Sequence, residues 1–99
     1  MLEHPLGTVE KLDPRLVKLV EDTRTFAYGD GVLPKKYKFL IAMAILTAQR
    51  ADAGIKTFAE AAMQAGATRD EVAETLRVAY YHSGASGVFT ANIALKDSL

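Results

Sequence analysis

The stretch "AGATRDE", Ala65-Gly66-Ala67-Thr68-Arg69-Asp70-Glu71, decides the fold. Gly66 is placed to close a helix in the left-handed C′ conformation, where a Cβ is disfavoured. Thr68 and Glu71 have the T-x-x-E spacing of a capping box. The Thr hydroxyl accepts from the Glu71 amide, and the Glu side chain reaches back to the Thr68 amide. Asp70 and Glu71 also face the positive end of the helix dipole. One helix therefore ends and another begins within a few residues, which predicts two helices joined by a tight turn.

Working outward, the segment from about Asp52 to Ala65 has Ile55, Phe58, Ala59, Ala62 and Met63 at i, i+3, i+4, i+7, i+8, one face of a helix. On the other side, Val72, Leu76, Ala79 and Tyr80 are read as the inward face of a helix ending in "YYHSGASG", with Gly84 and Gly87 bracketing a turn. A last helix, Ser86 to about Lys96, presents Val88, Phe89, Ile93 and Ala94. Nearer the start, Asp13-Pro14 is an N-cap followed by Pro at the first helical position. Leu16, Leu19, Val20, Phe26 and Ala27 form its apolar stripe. Tyr28-Gly29-Asp30-Gly31 ends this helix, with Gly29 or Gly31 able to take the left-handed C′ conformation, and residues 1–12 are expected to be an extended or loosely packed lead-in.

Leu33-Pro34 opens the helix that contains "FLIAMAIL", Phe39 to Leu46, apolar on all sides. A buried strand is the rival reading of so short a run, but its Ala and Met content and helical flanks favour helix. A helix apolar all round must be covered on more than one side. In a chain of 99 residues little interior is available to do it. A subunit interface is the simplest cover. The expectation is one all-α domain over residues 1–99, of about five helices, forming a homo-oligomer.

Composition narrows the function classes. Twelve basic and twelve acidic residues cancel, so no general field attracts nucleic acid or an anionic membrane. The run Lys35-Lys36-Tyr37-Lys38 reads as a solvated helix entrance. With no cysteine, disulfides, thiolate nucleophiles and dithiol redox cycling are ruled out. The start lacks the basic and apolar regions of a signal peptide, and no apolar run is long enough to span a bilayer, so a cytoplasmic location is the expectation. No His pair or carboxylate–His cluster has metal-ligand spacing, and no glycine-rich phosphate loop or nucleophile elbow occurs; neither a metal nor a cofactor is expected.

Three places retain polar chemistry. Gln49-Arg50-Ala51-Asp52 joins two helices. Arg50 offers a bidentate clamp for a carboxylate; a surface turn with Asp52 as N-cap is the other reading. Tyr80-Tyr81-His82 ends a helix. Successive residues there diverge by about 100°, so the three cannot share a face. Tyr80 is assigned to the core, while Tyr81 and His82 can reach a groove or a subunit boundary. Histidine is the side-chain type best suited to moving a proton near neutral pH, which makes His82 the leading acid/base candidate with Tyr81 beside it. Lys56, one turn into its helix, is a further substrate-binding candidate, although an exposed lysine is the favoured reading.

Over residues 34–95 the chain resembles the carboxymuconolactone decarboxylase and alkylhydroperoxidase D-like (AhpD-like) superfamily. The carrying residues are Ala65-Gly66-Ala67-Thr68 with Glu71 and Val72, then the aromatic–Gly turn near residue 84. The resemblance implies an all-helical oligomer, commonly a trimer or hexamer. It also implies, in the peroxidase branch, a C-x-x-C-x-x-x-H motif and a Glu on the preceding helix. The cysteine positions fall on Ala51 and Gly54, the His position on Phe58 and the Glu position on Phe39. The decarboxylase branch usually keeps the His, which is Phe58 here. Neither mechanism transfers to these positions. Two expectations follow: a non-redox oligomeric module with a degenerate pocket, or a cysteine-free enzyme acting on a small carboxylated molecule, of decarboxylase or lactone type. Peroxidase activity is the least supported.

Overall fold

In the computed structural model the described residues are 5–99, and they form six helices: α1 (Gly7–Leu12), α2 (Pro14–Tyr28), α3 (Lys35–Ala48), α4 (Asp52–Gln64), α5 (Arg69–Ser83) and α6 (Ala85–Ala94). No strand occurs among the described residues. The "FLIAMAIL" run is helical, as its flanks required.

The central turn is built as the sequence dictates. Gly66 has φ 105°, and the amides of Gly66 and Ala67 donate to the carbonyls of Met63 and Ala62, at 3.0 and 2.9 Å. This is a Schellman closure of α4. The Thr68 hydroxyl then accepts from the Glu71 amide at 3.1 Å, and Glu71 accepts from the Thr68 amide at 2.9 Å, completing the box that starts α5. A half-buried ion pair, Lys36 Nζ to Glu71 Oε2 at 3.1 Å, ties this entrance to α3.

Helices α3 to α6 pack around a core of Leu40, Met43, Ile55, Ala59, Ala62, Val72, Ala91, Ala94 and Leu95, flanked by Phe39, Leu46, Phe58, Met63 and Leu76. Small residues at the α4 and α6 contacts let the backbones approach. The closest approach is at Gly87 of α6, which lies directly against the Thr47 carbonyl of α3. Thr47 is itself fully buried, and its hydroxyl donates to the Met43 carbonyl at 2.8 Å. At the far end Ser98 donates to Glu60 at 2.8 Å and fastens the terminus to α4.

Several expectations are corrected. Residues 7–12 are not extended but form α1, continued by amide bonds from Glu10 to the Leu6 carbonyl and from Asp13 to the Val9 carbonyl; the helix is loosely packed, with none of its residues buried. The part of the lead-in before Pro5 lies outside the described residues. Neither Gly29 nor Gly31 is left-handed; α2 ends on Gly29 at φ −63°, ψ 162°. The reason is Lys38, whose ammonium donates to the carbonyls of Ala27 and Gly29 at 3.0 and 2.7 Å. A cation there satisfies carbonyls that a glycine closure would otherwise serve. Asp13, by contrast, caps α2 as expected, accepting from the Leu16 amide at 3.1 Å.

The apolar stripe of α2 does not meet the core. Leu16, Leu19, Val20 and Phe26 are exposed, Phe26 to 88%. Val17 is the buried residue of α2, which packs mainly on α1. Phe89 and Ile93 on α6 are exposed too, and so is Tyr80, assigned above to the core. In each case the periodicity is helical, but the apolar face has no neighbour within one chain.

Candidate functional site

Three helices converge on an aromatic group. Tyr28 at the end of α2 stacks on Phe39 of α3, centroids 5.3 Å apart, and on Phe58 of α4 at 6.1 Å. Phe39 and Phe58 meet at 6.2 Å, tilted by 38°. Both phenylalanines sit where helical spacing directs them toward the core, and both pack against its buried residues. These are the positions to which the resemblance assigns a carboxylate and an imidazole. Here the rings fill that space with hydrocarbon. Each such pair adds about 0.5–1.5 kcal/mol beyond area burial. Tyr28 is a member that sequence reasoning missed. It lies on the Val17 side of α2, apart from the Leu16–Phe26 stripe that periodicity picks out.

Ala51 and Gly54, the two cysteine positions, are half-buried at the entrance of α4. Ala51 is the N-cap, and it makes no side-chain cap; Asp52 is the first helical residue rather than the cap. A Cβ on Gly54 would lie 3.0 Å from a Leu46 methyl, so even the first atom of a larger side chain presses on α3. Phe58 follows one turn later.

Arg50 adopts φ 57°, the left-handed region, as the one non-glycine among the described residues with positive φ. The local bonds explain it. The Arg50 amide donates to the Thr47 carbonyl at 3.0 Å and the Ala51 amide to the Leu46 carbonyl at 2.9 Å. This is the same closure that Gly66 makes on α4, with arginine in the glycine position. Sequence reading had no signal for it, because the residue normally diagnostic of the closure is absent. The exposed guanidinium reaches Ser86 Oγ at 3.4 Å, a long contact to the start of α6.

Tyr81 and His82 are exposed at the end of α5, their rings edge-to-face at 5.0 Å. Lys56 is exposed on α4. Arg50, Lys56, Tyr81 and His82 do not line any of the main surface hollows. One of those hollows, of about 480 Å³, runs between α3 and α5 and is walled by Tyr37, Leu40, Ile41, Ala44, Glu71, Glu74, Thr75 and Val78. Glu71 on its wall is paired with Lys36. Glu71 is held below the usual carboxylate range by the Thr68 backbone amide and by Lys36, and Lys36 is pushed up by its bond to Glu71. Among the described residues no group of His, Asp and Glu could hold a metal ion, and no helix is long and apolar enough to cross a membrane.

Fold and site together define an all-helical, cysteine-free protein with an aromatic cluster at the junction of α2, α3 and α4. The family model described as "Carboxymuconolactone decarboxylase family" matches residues 14–97, and the chain belongs to that family. It is also similar to a crystal structure of an apo carboxymuconolactone decarboxylase family protein from Legionella pneumophila. That likeness has 34% identity and a TM-score of 0.82, over 92% of this chain and 81% of the other. No curated protein matches the chain.

Proposed function

We propose that this chain is a non-redox, oligomeric helical module whose ancestral pocket is closed. The observation that carries the reading is the Tyr28–Phe39–Phe58 cluster, in which Phe39 and Phe58 stand at the positions where the resemblance expects acid/base groups. Replacing a Glu and a His by two phenylalanines exchanges a solvated polar pocket for packed core. The oligomeric part rests on the exposed apolar faces of α2, α3 and α6. A fold of this size does not stabilise such faces by itself.

A second reading is supported by one observation. Arg50 holds a left-handed conformation, a kind of strain that clusters at functional sites. In that reading Arg50 clamps a small carboxylate, and His82 or Tyr81 moves the proton. The experiment separates the two. Small lactone and keto-acid carboxylates are offered to the purified chain, with His82→Ala in parallel, and sedimentation is recorded at micromolar concentration. The module reading expects an oligomer and no turnover above background. Turnover that disappears in His82→Ala overturns it in favour of the enzyme.

A further inference from the structure

We propose that helix α2 of one copy docks in the α3–α5 groove of a second copy, reciprocally, and covers Tyr81 and His82. The inference rests on the oligomeric reading above and adds which faces make the contact.

Helix α2 has two distinct sides. Val17 and Tyr28, eleven residues apart, project in nearly the same direction and serve contacts within the chain. Leu16, Leu19, Val20 and Phe26 follow i, i+3, i+4, i+10 and form a separate stripe, roughly a third of the circumference wide. All four are exposed, and the helix stands off the α3–α6 bundle. The radius of gyration, 14.6 Å, exceeds the roughly 13 Å expected for a compact chain of this length.

The same chain holds an uncovered receptor. The α3–α5 groove has Ile41 and Val78 on its walls, exposed to 50% and 60%. On α5 the groove face runs Glu71, Glu74, Thr75, Val78 and then, on the same helical face, Tyr81 and His82. Helices α2 and α5 are each 15 residues, about 22 Å, so the arm matches the groove in length.

Charge selects the arm over a generic apolar partner. Arg15 and Arg24 flank the α2 stripe on its two sides and have no partner among the described residues. The groove carries Glu74 on its wall, likewise without a partner there. Docking sets arginine from the second copy beside that carboxylate. A specific interface needs on the order of 1,000 Å² in total, about 500 Å² from each of two reciprocal dockings. The contact is isologous and closes on itself, leaving no open edge. Tyr81 and His82 then lie under a helix of the second copy.

The absence of cysteine makes the test clean. Leu19→Cys chains are mixed under subunit exchange with size-tagged Ile41→Cys or Val78→Cys chains, and mixed disulfides are followed. Lys56→Cys serves as the collisional control. Docking predicts mixed links on the order of 100-fold faster than the control, as expected for thiols at millimolar effective concentration. An oligomer by sedimentation with no accelerated link overturns this inference and leaves the oligomeric reading standing. A monomer overturns both. A link formed only inside a doubly substituted chain, at a rate independent of concentration, also overturns it, because the arm then folds onto its own groove.

Discussion

Gly87 of α6 faces the main-chain carbonyl of Thr47 in α3 so closely that a Cβ at position 87 would lie 2.3 Å from that oxygen. The obstacle is backbone, not the movable end of a side chain. Two helices must separate to admit one methyl group. Overpacking of this kind costs typically 1–3 kcal/mol, and the rigid neighbour places Gly87→Ala at the upper end, about 3 kcal/mol. Thermal or urea unfolding measures it. A melting temperature equal to that of the parent chain would contradict the close approach.

Arg50 yields the opposite sign. Its left-handed conformation costs an L-residue roughly 1–2 kcal/mol that glycine does not incur. Arg50→Gly should therefore stabilise the chain by about 1 kcal/mol, since the Schellman bonds are unchanged and the Ser86 contact is long and exposed. The same variant leaves the module reading intact, whereas an arginine clamp on a carboxylate would be lost. Comparing its melting temperature with its ligand binding separates strain kept for function from strain that is merely tolerated.

The capping box has a pH signature. Glu71 is lowered from 4.5 by the Thr68 amide first and Lys36 second. Its stabilisation is fully present above the unfolded carboxylate range and is lost as pH falls through the depressed folded value. Lys36 is raised from 10.5 by its bond to Glu71, so its share is complete below that value and fades as pH rises through the folded one. Stability from this pair is flat in between and declines at both ends. Glu71→Gln keeps a side chain able to complete the box but removes the ion pair. Its acid limb should be shallower than the parent's. Thr68→Ala breaks the cap itself and should cost about 1 kcal/mol at every pH.

The aromatic cluster makes a prediction about chemistry and one about packing. Peroxide reduction with a dithiol donor should stay at background, because no thiol exists to cycle. Phe58→Ala should destabilise by about 3 kcal/mol, since Tyr28 and Phe39 lose a shared neighbour. Phe58→His places a polar ring among hydrocarbon and should recover little of that loss. Equal stability of Phe58→His and the parent would mean that the position is still solvated, and the closed-pocket reading would fail.

Much of the molecule was legible from residue order. The Gly66 closure, the Thr68–Glu71 box, the Asp13 cap and the helical character of Phe39 to Leu46 each depend on bonds made within a few residues. Local chemistry was sufficient for them, as it was for the exclusion of thiol chemistry. Tertiary structure decided the rest. Lys38, some ten residues from the end of α2, bonds the carbonyls there, and α2 ends without a left-handed closure, while the tight packing of α3 and α4 put arginine in a glycine's conformation at residue 50. Periodicity identified the apolar faces of α2 and α6 but not what they meet. A stripe reports that a surface is apolar; only the arrangement of the other helices determines whether a neighbour covers it. Tyr28 was drawn into the aromatic cluster, while Leu16, Leu19, Val20 and Phe26 on the same helix were left facing outward. The physical reason is that helix type is set over one turn of chain, whereas burial is set by where distant segments come to rest.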